Sequence, residues 1–142
     1  MILDDLVDLA TSALSTATWA GGTNVFAGQL PSTPSTCLAF LGPYGGLPAA
    51  WAMSAGVGSG GRPQVERPRV QVLSRAEHYA DAEKNAVKVR YALAGRYNAL
   101  KNGVTYHQIA EVAEPFFLER DAAGRDVFAL NLDIVRSPAT SS

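Results

Sequence analysis

Val65-Glu66-Arg67-Pro68-Arg69-Val70-Gln71-Val72-Leu73-Ser74, followed by Glu77-His78-Tyr79-Ala80-Asp81-Ala82-Glu83-Lys84-Asn85-Ala86-Val87-Lys88-Val89-Arg90-Tyr91-Ala92-Leu93, decides the fold class. The first half reads as a strand: Val70 and Val72 point one way, Arg69 and Gln71 the other, because side chains alternate along extended backbone. The second half reads as an amphipathic helix. Tyr79, Ala82, Ala86, Val89, Leu93 and Tyr97 recur at steps of three and four and make one apolar face, with Asp81, Lys84 and Lys88 on the other side. Glu77, Asp81 and Glu83 come early and Lys88 and Arg90 late, which suits the helix dipole. A half-buried strand feeding a helix that packs back on it is the core of an α+β domain. We expect an antiparallel or mixed sheet of about four main strands with two helices packed on one face.

Upstream, Ile2 to Ala17 reads as a first helix with Leu3, Leu6, Val7, Ala10 and Leu14 as its stripe and Asp4 and Asp5 in its first turn. Gly21-Gly22 ends it. Thr23 to Leu30 is a short strand candidate, and Thr36 to Leu41 a second, apolar strand. Gly42 to Gly61 has neither period and reads as a long loop carrying Tyr44 and Trp51. Downstream, Gly95 marks the end of the helix. Asn102-Gly103 is a hairpin signal joining Asn98–Lys101 to the strand that begins at Val104. Asp121 to Arg125 is a second hairpin loop. Val127 to Arg136 is a strand in which Phe128, Leu130, Leu132 and Ile134 alternate with Ala129, Asn131 and Asp133, as in a sheet with one wet face.

The 142 residues suit one domain, taken as residues 1–136 with a long loop at 42–64 and a polar, disordered tail at 137–142. No apolar run reaches the ~18 residues a membrane span needs. Acid at Asp4 and Asp5 stands where a secretory signal carries base. Cys37 is the sole cysteine, which excludes an internal disulfide and reads as a small buried hydrophobe. The net charge is −1, yet all 12 basic residues lie at or after Arg62, and only Asp4, Asp5 and Asp8 are charged before it. So charge-poor a stretch suits surface covered by another subunit. A groove-binding protein would instead show a basic excess on one element.

No catalytic or cofactor chemistry assembles. Gly56-Val57-Gly58-Ser59-Gly60-Gly61 matches a dinucleotide-binding spacing. It lacks the preceding strand and following helix that would hold a pyrophosphate, so it reads as a flexible loop. Val57 also breaks the nucleophile-elbow pattern around Ser59. His78 and His107 are the only histidines, too few for a zinc site without ligands assembled by hand. Ser74 with His78 lacks an orienting third group. Glu111, Glu114, Glu119 and Asp121 read as solubilisers of a hairpin edge before acid–base partners. Arg67 and Arg69 bracket Pro68 on an edge strand, where they are either solvated or paired with a carboxylate of another subunit. The chain reads as no enzyme, with no cofactor and no metal.

In this order the segments resemble a known family, the small minor capsid or tail terminator proteins of long-tailed bacteriophages. The resemblance lies in the N-terminal helix followed by Val25 to Pro31, and in the apolar strand ending near Tyr44-Gly45-Gly46. It continues in Glu66 to Val72 leading to the helix begun by Tyr79 to Glu83, and in Asn102 to Tyr106. It closes with Pro115-Phe116-Phe117-Leu118-Glu119-Arg120 and the strand through Ile134. What it implies is a structural virion protein: a ring, expected to be hexameric, at the head-proximal end of the tail tube. The ring stops tube polymerisation and joins the tail to the head-side connector, or stopper. Genome DNA passes through its lumen without sequence-specific binding. The implied partners are further copies, the tail tube protein and the connector, with no membrane. The place is the virion's head–tail junction, after assembly in the host cytoplasm. A closed ring needs two different patches per subunit. Tyr44, Trp51, Arg67 and Arg69 are the candidates for one, and Glu119 and Asp121 for the other. The alternatives are another neck protein of the same particle, or a small-ligand-binding α+β domain.

Overall fold

The computed structural model describes residues 2–14, 18–50 and 65–137, with the side chains of 44, 45 and 47–50 excepted. The chain runs α1 (Ile2–Ala13), β1 (Val25–Ala27), β2 (Cys37–Ala50), β3 (Val65–Ala76), α2 (Tyr79–Leu93), β4 (Arg96–Lys101), β5 (Val104–Glu111), β6 (Phe116–Arg120) and β7 (Asp126–Ser137). The strands form one seven-stranded sheet in the order β1-β2-β3-β7-β5-β4, with β6 also paired to β7. The expected count of about four strands is too low, since short β1, β4 and β6 add to the longer ladders. The sheet is mixed: β1 runs parallel to β2, and the other pairs are antiparallel.

The expected loop at 42–64 is corrected over its first part, because β2 continues to Ala50. The partners step from Leu41↔Gln71 to Tyr44↔Arg69, Leu47↔Arg67 and Ala50↔Val65, with a register shift at each step. Each shift adds one residue to β2 against β3, and every added residue turns the following side chains to the other face. That is why no period of two survives in Gly42-Pro43-Tyr44-Gly45-Gly46-Leu47-Pro48. Residues 51–64, with Trp51, and 138–142 of the expected tail lie outside the described residues, as do 15–17 of the expected first helix. Ser137, expected to begin the tail, instead closes β7.

Both helices pack on one face of the sheet. Leu3, Leu6 and Ala10 of α1 and Val89 and Leu93 of α2 share a buried cluster with Leu38, Phe40, Val70, Val72, Leu130, Leu132 and Ile134. Leu38 and Phe40, Val70 and Val72, and Leu130, Leu132 and Ile134 thus meet the helices at alternate positions of β2, β3 and β7, as the pleat requires. Among the described residues the opposite face is closed only at one end. There Ala39, Leu73, Val127 and Ala129 are buried with Leu30 and Leu41 packed on them. Residues 30–36 run over this end, held by buried Arg75, which donates to the Pro34 and Ser35 carbonyls at 2.7 and 3.3 Å. Arg125 donates to the Ser32 carbonyl at 2.6 Å. This cover buries Ala129, placed by the alternation on a wet face. Cys37 is fully buried, and burial raises its thiol pKa.

The helix α2 stops at Leu93, so Tyr97 is not on its apolar face. Ala94 is extended, Gly95 takes φ +83°, and Tyr97 lies in β4 with 68% of its surface exposed. Tyr79, also assigned to that face, is 49% exposed. Asn102 (φ 51°) and Gly103 (φ 78°) make the tight turn between β4 and β5, the left-handed pair a two-residue hairpin prefers. In β5 a bulge between Tyr106 and Gln108 lets Tyr106 and Ile109, three apart, both enter the core.

Candidate functional site

The residues expected to form assembly patches fall into two groups, at the two ends of β3. Tyr44 is the Cα partner of Arg69, and Arg67 that of Leu47, so these three share the β2–β3 arm. The side chain of Tyr44 and all of Trp51 lie outside the described residues. Arg69 donates to Asp133 of β7 through Nε at 2.7 Å and Nη2 at 3.3 Å. Both side chains are a little under half exposed. That carboxylate within the chain raises the Arg69 pKa through its hydrogen bond and charge. Gln71 donates to Asn131 at 3.1 Å beside it, so this helix-free part of the sheet carries matched polar partners.

Glu119 and Asp121 belong to the other end, the β6–β7 hairpin. β3 meets this end at Ala76↔Asp126 and the arm end near Arg69↔Asp133. Seven residues of strand separate them, roughly 23 Å. Glu119 is exposed. Asp121 is occupied: Oδ1 accepts from the amides of Ala123 at 3.0 Å and Arg125 at 2.9 Å, and Oδ2 accepts from Arg125 Nε at 2.8 Å. The Arg125 amide leads the causes that hold its pKa below the ordinary carboxylate range. It shapes the loop that aligns β6 with β7.

Two exposed aromatic surfaces escape the sequence reading. At the N-terminal end of α2, Tyr79 packs against Phe117 and Phe128, with ring centroids 5.6 and 4.8 Å away. Phe116, Phe117 and Leu118 of β6 remain 40–42% exposed. β6 pairs only with β7, so among the described strands its outer edge carries none. At the C-terminal end of α2, Tyr91 (77% exposed) and Tyr97 line one depression with Arg90, Gln108 and Glu111. Tyr91 also borders a second one with Leu14, Lys88 and Arg96. The available signals were Phe116-Phe117-Leu118, three large apolar residues in a row, and Tyr91, a lone aromatic on the polar side of α2. The exposure itself depends on which neighbours pack there.

Charge differs between the two surfaces. Glu77 and Glu83 flank the Tyr79–Phe117 surface, both exposed, with no ion pair among the described residues, while Glu119, the partner of Val127, faces the other side of the sheet. Around Tyr91, Lys88 and Arg96 likewise have no carboxylate partner among the described residues. Arg96 donates to the Ala92 carbonyl at 2.8 Å, and Arg90 is paired with Glu111.

Ser74 Oγ is buried and donates to the Ala82 carbonyl at 2.9 Å, so it does not pair with exposed His78. His107 Nε2 lies 2.6 Å from Ser137 Oγ. Among the described residues no three His, Cys, Asp or Glu side chains are placed to hold a metal ion. No helix among them is long and apolar enough to cross a membrane. Comparison with curated proteins gave no match. The model of one protein family, described as bacteriophage tail terminator protein, matches residues 3–137, from the first turn of α1 to the last residue of β7. The match takes in both helices, the whole sheet and both aromatic surfaces, and the chain belongs to the bacteriophage tail terminator family.

Proposed function

We propose that this protein is a structural, non-enzymatic component of the virion neck, a minor capsid protein. Copies close into a hexameric ring on the head-proximal end of the tail tube, stop its polymerisation and present the opposite face to the head-side connector. The observation that carries this reading is the family match across residues 3–137. Assembly takes place in the host cytoplasm, and genome DNA passes through the lumen. The β2–β3 arm (Tyr44, Trp51, Arg67, Arg69) is one contact region of the ring or its axial partners. The β6–β7 hairpin, with Glu119 and Asp121, is the other.

Negative-stain microscopy of the purified chain, alone and mixed with tail tubes, tests the reading. Six-fold rings, or density capping one tube end, are expected. A chain that stays monomeric and ignores tubes would overturn the terminator role in favour of another neck protein. A saturable small ligand found by thermal shift would point to a binding domain.

A further inference from the structure

We propose that the Tyr79–Phe117 surface of one copy docks on the Tyr91–Tyr97 surface of the next copy of this chain. The inference rests on the ring reading and assigns the faces that close it. The two surfaces lie at opposite ends of helix α2, with Tyr79 and Tyr91 roughly 18 Å apart along it. Each is too exposed for an isolated molecule's core: Tyr79 and Phe117 are 49% and 42% accessible, and Tyr91 and Tyr97 are 77% and 68%. Aromatic side chains at this exposure are the residue types enriched in protein interfaces.

The occupant follows from charge. Glu77 and Glu83 border the first surface, Lys88 and Arg96 the second, and none of these four has an ion-pair partner among the described residues. An acidic-rimmed aromatic surface and a basic-rimmed one on a single chain complement each other between copies. Like surfaces meeting would oppose like charges. Contact between two different patches is heterologous and closes into a ring when its rotation allows. The outer edge of β6, which carries no strand among the described residues, gives the first surface main-chain donors and acceptors as well. The β2–β3 arm is then left for the tube or the connector.

The test uses the full-length chain, in sedimentation velocity and in negative stain with tail tubes. Phe117→Lys and Tyr91→Glu are each expected to stay folded by circular dichroism and to lose the ring. Their mixture is expected to recover association, because each supplies the surface the other lacks. The charge-only variants Glu83→Lys and Lys88→Glu, at exposed helix positions, guard against misfolding. Each is expected to weaken self-association about tenfold, and mixing them to restore it. Wild-type rings that persist in all four variants would overturn the surface assignment and leave the ring standing. So would single variants that fail and are not rescued by mixing. Wild-type chain that forms no ring, alone or on tubes, would overturn the ring reading itself.

Discussion

Tyr106 and Asp5, 101 positions apart in the chain, share a 2.5 Å hydrogen bond in the core, the Tyr106 hydroxyl donating to Oδ2 of Asp5. Asn102 Nδ2 donates to the other carboxylate oxygen, also at 2.5 Å. Asp5 is 1% exposed, so both donors offset the cost of burying its charge. The first turn of α1 is thereby fixed to the β4–β5 hairpin.

Tyr106→Phe removes one donor and leaves that carboxylate partly unpaired. The expected loss is about 1–3 kcal/mol, read as a lower midpoint in urea unfolding. An unchanged midpoint would mean that water enters and replaces the hydroxyl.

Burial first, and then the bond to Asp5, raise the Tyr106 pKa above the ordinary tyrosine value. The folded state keeps this proton where the unfolded chain loses it. The stability this proton confers is therefore fully present at neutral pH and is lost as pH rises above about 10. Unfolding titrations of Tyr106→Phe should show a shallower alkaline decline than wild type. Parallel curves would place the alkaline sensitivity elsewhere.

Gly46 sits at φ +90°, and an added Cβ would collide with the Arg67 carbonyl oxygen and lie 3.0 Å from the Arg69 amide nitrogen. Gly46→Ala must open the β2–β3 arm. Faster amide exchange at Arg67 and Arg69 is the expected readout, with protection retained at Val72 and Leu73. Unaltered exchange along the arm would show that the strands absorb the side chain.

Arg69 and Asp133 form a partly exposed pair, and such pairs contribute little to folding. Arg69→Ala is expected to leave the melting temperature almost unchanged. If the arm contacts the tube or the connector, the same variant lowers assembly on tubes. A variant that melts early would show the pair to be structural.

Cys37 is fully buried and its thiol pKa is raised by burial. Native protein should resist labelling by a thiol reagent and react stoichiometrically in denaturant. Fast labelling of the native state would reveal opening of the cover over residues 30–36.

Local signals made much of the fold legible. The period of α2, the alternation in β3 and β7, and Asn102-Gly103 each encode geometry within a few residues. The structure reproduces them, with ends moved by a residue or several. The resemblance of the ordered segments also reached the family. The β2 extension was not legible, since three bulges erase its period and only pairing with β3 holds it as a strand. Nor were the exposed aromatics, because Tyr79 and Tyr97 lie at helical spacing with Leu93 yet face solvent once α2 ends and β4 turns away. The amino-acid sequence by itself determined which short segments are helix, strand or turn, since those preferences are local. Tertiary structure alone decided which apolar residues stay outside and which charges lack partners, because burial depends on neighbours distant in the chain.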